Sequence, residues 1–320
     1  MKRRSNAAAP VAVPAIRKAQ AEDFTRDLDL TRDELLYLLD LTGLVKKTPG
    51  RFAGELAGRY LSLLFEKPSL RTRLTFELAI KQLGGDSILN VGPIGEREPL
   101  KDVARNLDRW TNAIVARTFL QKTVDELARW AKVPVINALS DKYHPCQALA
   151  DVFTLKEHFG ELRGLRLAYV GDGNNVAHSL MISSARLGMR FAIASPEGYE
   201  PDPGVVAEAR GLAEETGAEV VVTRDPDQAV AGAHAVYTDV WASMGQEAEM
   251  ETRKNVFHRY QVNEELFSKA RPEAVFMHCL PAKREQETTD SMIETPQSVV
   301  FDQAENRLHT QKALLLMLLA

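Results

Sequence analysis

Ser69, Leu70, Arg71, Thr72 and Arg73 place two hydroxyls and two guanidinium groups in what reads as the first turn of a helix. Ser69 is a good N-cap, and Pro68 biases Lys67 away from helical backbone. A helix N-terminus already presents unpaired N–H groups and the positive end of its dipole to an anion. Hydroxyls and forked guanidinium donors added to that turn make a grip for a phosphate. Taken alone, the tract also fits an ordinary capped helix with solvated arginines.

Other residues extend the chemistry. His144 and Gln147 stand three apart at the start of a helical run, so one helical face carries both. With Arg117, at the end of an apolar strand, they form three donors able to converge on one carbonyl oxygen and stabilise the oxyanion that develops under attack. Asp239 ends another apolar strand and is placed to pair with a cationic amine; Ser243-Met244-Gly245 after it reads as a loop able to close over a ligand. Asn174 and Asn175 open a helix after the turn Gly171-Asp172-Gly173, where their amides suit a polar small molecule or simply cap the helix. Cys279 ends a further strand beside His278 and the Leu280-Pro281 bond, as a polar contact in a cleft or as inert packing. Ala304-Glu305-Asn306-Arg307 is expected to put an arginine at the start of the last helix.

Several chemistries are disfavoured. The glycine turn lacks the third glycine of a dinucleotide fingerprint, and the next strand ends in Ala194-Ser195-Pro196 without an acid for a ribose. No Gly-x-Ser-x-Gly elbow supports a covalent intermediate. Cys-x-x-Cys and His-x-x-x-His spacings are missing, so no metal site is expected.

Positioning these groups requires a repeated strand–helix rhythm. Strands are expected at 60–65, 87–91, 113–117 and 135–138, with helices at 31–44, 71–83, 100–110 and 124–131. Thr31 and Glu34 form a capping-box pattern. A connector helix from about Cys146 to Phe159 precedes strands at 165–170, 190–194, 219–222, 235–238 and 274–278, and a final apolar helix covers 304–319. This alternation predicts an α/β fold of two similar domains, each a parallel sheet flanked by helices, with a cleft between them. The 320 residues suffice for two domains. A net charge of −4 argues against a general nucleic-acid or membrane-surface binder. Two distant cysteines and the lack of a membrane-length apolar run fit a reduced, cytoplasmic setting. The first 21 residues hold five Lys/Arg and no acid, a faint likeness to a transit segment; a flexible tail over 1–30 is the preferred expectation.

Together, and in this order, the motifs resemble the transcarbamylase superfamily, and within it the ornithine carbamoyltransferases, from about Thr31 to Leu319. Ser69-Leu70-Arg71-Thr72-Arg73 is similar to that family's carbamoyl phosphate signature. The resemblance implies that Ser69, Leu70, Arg71, Thr72, Leu280 and Arg307 bind carbamoyl phosphate. It further implies that Arg117, His144 and Gln147 polarise its carbamoyl group, that the catalytic Cys279 contacts carbamoyl phosphate and with Asp239 holds and orients the amine, and that Asn175, Asp239, Ser243 and Met244 hold ornithine. It implies carbamoyl transfer to the δ-amine of ornithine, no cofactor, and a homotrimer. Residues 31–145 with 305–320 would bind carbamoyl phosphate, and 146–304 ornithine. Three positions depart from the pattern. Leu70 replaces the usual Thr, Asn112 replaces a common Asp, and the loop 90–98 lacks the Gln or Lys a neighbouring subunit contributes, leaving Arg97 as the substitute. Leu70 keeps N-acetylornithine and N-succinylornithine as alternative acceptors, whereas Ser243-Met244-Gly245 favours ornithine. Asp239 disfavours aspartate, putrescine lacks the α-amino and carboxylate groups, and a non-catalytic phosphate-binding protein is the reading from another class.

Overall fold

The computed structural model of the chain describes residues 15–242 and 249–320. Its first half contains α1 (Arg32–Lys47), β1 (Tyr60–Phe65), α2 (Leu70–Gln82), β2 (Asp86–Val91), α3 (Leu100–Trp110), β3 (Ala113–Arg117), α4 (Gln121–Trp130) and β4 (Val135–Leu139). The connector α5 (Pro145–Phe159) follows. The second half contains β5 (Arg166–Val170), α6 (Asn175–Leu187), β6 (Arg190–Ala194), α7 (Pro203–Thr216), β7 (Glu219–Thr223), α8 (Pro226–Val230) and β8 (Ala235–Thr238). It continues with α9 (Met250–Phe257), α10 (Glu264–Phe267), β9 (Val275–His278), α11 (Asp290–Glu294) and the terminal α12 (Val300–Leu319). The strands form two sheets, ordered β2-β1-β3-β4 and β7-β6-β5-β8-β9, with parallel neighbours throughout. The fold is α/β, as the alternation predicts.

Strand order decides where a ligand can sit. β1 lies between β2 and β3, and β5 between β6 and β8. Connections leaving such a point run to opposite faces and open a crevice beyond the strands' carboxyl ends. In the first sheet those ends carry the Ser69 turn and Arg117; in the second they carry the Asn174 turn and Asp239. Topology thus gathers residues far apart in sequence.

Local signals explain the helix starts. Thr31 and Glu34 make the reciprocal capping box of α1. Asn174 Oδ1 accepts from Val176 N and Ala177 N at 3.0 and 3.1 Å, capping α6. Pro145 occupies the first turn of α5, where its missing N–H costs nothing. α12 begins at Val300, not at residue 304, so Arg307 lies about two turns inside the helix rather than at its start. Val299 provides no side-chain cap, so the sequence carries no start signal there.

The halves share one apolar core. A cluster of buried side chains runs from Leu38, Leu63 and Phe76, through Val152 and Phe153 on α5 and Leu314 on α12, to Leu180 and Phe191. α12 packs on α5, α1 and α2.

The N-terminal segment departs from the tail expectation within 19–30. Ala19 N donates to Met317 O, Phe24 forms a parallel bridge to Ile136 beside β4, and Ser183 Oγ donates to Asp27 Oδ1 at 3.0 Å. These partners are non-local, which is why low local propensity misled the sequence reading. Burial pushes the Asp27 carboxyl up to about 7, against hydrogen bonds from Ser179 and Ser183. Its folded-state pKa therefore lies above the unfolded one, and the stability it contributes below pH 4 is lost as pH rises towards 7. The stability of Asp27→Asn relative to the native chain should accordingly grow by about 3–4 kcal/mol between pH 4 and pH 8. Thermal melts of both proteins across that range test this, and a pH-independent difference would refute it.

Candidate active site

At the first sheet's crevice, Ser69 N-caps α2 and accepts from Thr72 N at 3.3 Å. The amides of that first turn have no intrahelical acceptor. Arg117 is the last residue of β3, where the register to β4 shifts between Ala116 and Arg117. Such a bulge re-aims a side chain. From α12, the buried Arg307 donates through Nη2 to Thr72 Oγ1 at 2.9 Å and through Nη1 to Gln147 Oε1 at 2.6 Å. Arg117 Nε and Arg307 Nε are buried without a protein partner among the described residues.

Arg71, Arg117 and Arg307 form a cation cluster. Burial, then the charges of Arg307 and Arg71, lowers Arg117 to about 10, still protonated at neutral pH. His144 caps α5 with its backbone N–H on Ser179 Oγ at 3.0 Å, and its Nδ1 is buried without a partner. Burial first, then Arg307, Arg117 and Arg71, holds His144 well below its ordinary value. It is a neutral imidazole, able to donate one N–H without adding charge.

The second sheet supplies the opposite wall. Asp239 is buried, and its carboxylate accepts from Asn174 Nδ2 at 2.8 Å, Val240 N at 2.8 Å and the Cys279 thiol at 3.0 Å. Tyr169 OH in turn donates to Asn174 Oδ1 at 3.1 Å. Burial, then the adjacent Asp239, pushes the Cys279 thiol well above its usual range. It keeps its proton and donates it, so a thiolate nucleophile is not what the site builds. Leu280, at φ 55°, donates its N–H to His278 Nδ1 at 2.8 Å, while His278 Nε2 lies 3.2 Å from Glu287 Oε1. Asp239, His278 and Cys279 bring donor atoms within 4.8 Å of one another, a metal-like spacing. Those atoms are already committed to the hydrogen bonds just given.

One cleft of about 1480 Å³ is lined by Ser69 to Thr72, Arg117, His144, Gln147, Asn175, Asp239, Cys279, Leu280 and Arg307. Every expected site residue within the described stretches is therefore brought together; Ser243 and Met244 lie outside the described residues. Two details differ from expectation. Gln147 is not a free donor beside His144, because its Nε2 donates to Asp151 Oδ1 at 2.8 Å and its Oε1 faces Arg307. Asn175 Nδ2 donates to Ser140 O at 2.6 Å, and Asn174 is the residue that meets Asp239. Arg97, expected to act on a neighbouring subunit, is exposed on its own chain. Leu70, 71 % exposed, stands at the first position of α2, and Asn112 Oδ1 accepts from Tyr60 N at 2.9 Å, tying down the start of β1. Sequence reading missed Asp151, Tyr237 and Gln303. The available signal was an acid one helical turn after Gln147, within the otherwise apolar run Ala148–Phe153.

Comparison with known proteins agrees with this geometry. Residues 22–157 match the profile described as aspartate/ornithine carbamoyltransferase, carbamoyl-P binding domain, and residues 163–318 match its Asp/Orn binding domain. An ornithine carbamoyltransferase from Thermus thermophilus is 55 % identical over 291 residues, covering 89 % of this chain and 93 % of that one. The solved ornithine carbamoyltransferase of Pyrococcus furiosus superposes with a TM-score of 0.91 at 46 % identity, covering 96 % and 99 % of the two chains. An acetylornithine transcarbamylase complexed with acetylcitrulline is also similar, at 31 % identity and a TM-score of 0.84, covering 93 % and 99 %. The chain belongs to the aspartate/ornithine carbamoyltransferase family.

Proposed function

We propose that this cleft transfers the carbamoyl group of carbamoyl phosphate to the δ-amine of L-ornithine, giving L-citrulline and phosphate. The observation that carries the reading is a cluster of Arg71 with the buried Arg117 and Arg307, none paired with a carboxylate among the described residues, facing an Asp239–Cys279 pair across one cleft. The α2 amides, Ser69, Thr72, Arg71 and Arg307 take the phosphate, whose negative charge grows as it leaves. Arg117 and the neutral His144 donate to the carbamoyl oxygen, stabilising the oxyanion formed on attack. Gln147, with Oε1 towards Arg307, borders the same group. Asp239 attracts the amine, and Cys279 and Asn174 fix that carboxylate; the amine must shed a proton before it attacks. The Leu280 backbone closes the carbamoyl side, while Asn175, Ser243 and Met244 are assigned to the amino acid's α-groups. Residues 31–145 with 305–320 form the carbamoyl phosphate unit, and 146–304 the ornithine unit. Carbamoyl phosphate is already activated, so this chemistry calls for no cofactor or metal.

Leu70, Leu74 and Leu78 lie on one face of α2, exposed, with Ile88 and Val91 exposed nearby in sequence on β2. Such exposed apolar side chains support a homo-oligomer, which we assign as a homotrimer. No helix among the described residues is long and apolar enough to cross a membrane, and both cysteines are free. These features favour a cytoplasmic setting.

Relatives at about 50 % identity carry the ornithine name, which favours ornithine over its N-acyl derivatives. A carbamoyl-transfer assay with ornithine, N-acetylornithine, N-succinylornithine, putrescine and aspartate tests the reading. Ornithine should exceed every other acceptor by at least about 100-fold in kcat/KM, the discrimination expected when buried polar groups need specific partners. A preference for N-acetylornithine would overturn the acceptor assignment.

A further inference from the structure

One helical turn beyond Gln147, α5 carries a carboxylate that the chemistry above does not use. Asp151 is fully buried. Its Oδ1 accepts from Gln147 Nε2 and Gln303 Nε2, both at 2.8 Å, and its Oδ2 accepts from Tyr237 OH at 3.1 Å. A buried carboxylate costs stability unless its lone pairs are met, and these are met by three donors from three different elements.

The orientation of Gln147 follows from its neighbours. Arg307 can only donate, so the atom 2.6 Å from its Nη1 must be the amide oxygen. The amide nitrogen then faces Asp151, which can accept. Arg307 extends the chain to Thr72 Oγ1. A continuous path therefore runs from Tyr237 through Asp151, Gln147 and Arg307 to the first turn of α2.

Its other end lies in the acceptor half. Tyr237 stands two residues before Asp239 on β8, in register with Tyr169 on β5, and the two rings stack at 5.6 Å. Gln303 adds a further tie: its Oε1 accepts from His278 N at 3.0 Å, one residue before Cys279. Asp151 is thus the junction between the strands that bear Asp239 and Cys279 and the amide that borders the phosphate grip.

We propose that Asp151 is a positioning residue, which fixes the Gln147 amide and through it Arg307 relative to the acceptor-binding strands β8 and β9. The proposal rests on the carbamoyl-transfer reading for its kinetic consequences. Burial raises the Asp151 carboxyl to about 6, opposed by the bonds from Gln303, Gln147 and Tyr237, so at neutral pH it accepts as a carboxylate.

The test uses Tyr237→Phe, Asp151→Asn and Gln147→Ala in the full-length protein. Tyr237→Phe should raise KM for carbamoyl phosphate about fivefold and leave KM for ornithine within about twofold, although Tyr237 belongs to the acceptor sheet. Asp151→Asn should lower kcat/KM for carbamoyl phosphate by about tenfold or more, and add less than about twofold in the Gln147→Ala background. Titration with inorganic phosphate gives a readout independent of acceptor chemistry: Tyr237→Phe should weaken phosphate binding whether or not ornithine is the acceptor. Unchanged phosphate affinity in Tyr237→Phe, or additive losses in the double variant, overturns the proposal. Should Asp151→Asn fail to fold, the Tyr237→Phe results decide. A native chain that binds phosphate but makes no citrulline would instead count against the carbamoyl-transfer reading.

Discussion

Replacing Arg71 with alanine is expected to lower kcat/KM for carbamoyl phosphate by about 10³-fold, the loss typical of removing a charged partner from a desolvated anion. KM for ornithine should change little, because Arg71 stands on the phosphate wall with Ser69 and Thr72. Folding should not suffer. Arg71 is one of the charges that lower Arg117, so its removal relieves repulsion within the cluster. A melting temperature equal to or above that of the native chain, with the activity gone, is the expected pair of results. Undiminished use of carbamoyl phosphate would remove Arg71 from the site.

Asp239→Ala should act on the other substrate, raising KM for ornithine by about 10²-fold with carbamoyl phosphate binding preserved. Two costs combine: the amine loses its counter-charge, and the Asn174 amide and Cys279 thiol lose their acceptor. Leaving such donors unpaired costs about 1–3 kcal/mol. Asp239→Asn, which keeps the shape, separates the terms: stability should recover while KM for ornithine stays high. Steady-state kinetics for each substrate, with thermal melts, make the comparison, and ordinary ornithine kinetics in the alanine variant would exclude the assignment.

Much of this wall-by-wall division was legible in the sequence, because it rests on local signals. β1, α3, β3, β6 and β8 fall where apolar runs and their flanking turns place them, and the Thr31 and Ser69 caps form as their residue types require. The motifs at strand ends needed only the rule that parallel sheets bind at carboxyl ends. What was illegible depends on partners distant in sequence. Asp151 meets Tyr237 and Gln303, 86 and 152 residues later, and no periodicity reports such pairing. The segment around Phe24 to Asp27 is ordered by β4 and α6, not by its own propensity. The start of α12 lies four residues before the expected position, because the helix begins without a cap. Helices α7 to α11 were not anticipated individually, and α8, α10 and α11 are only four or five residues long. Ser243 and Met244 lie outside the described residues.

The bond from Arg307 to Thr72 spans 235 positions of the chain. Domains emerge from the ribosome N-terminal end first, so the α2 turn is synthesised long before its last guanidinium exists. A nascent chain that has delivered β1 to β4 still holds an unfinished anion grip until α12 is released and packs across α1, α2 and α5. Full affinity for the phosphate is thereby tied to completion of translation, and a prematurely terminated polypeptide lacking α12 lacks the Arg307 arm of the grip.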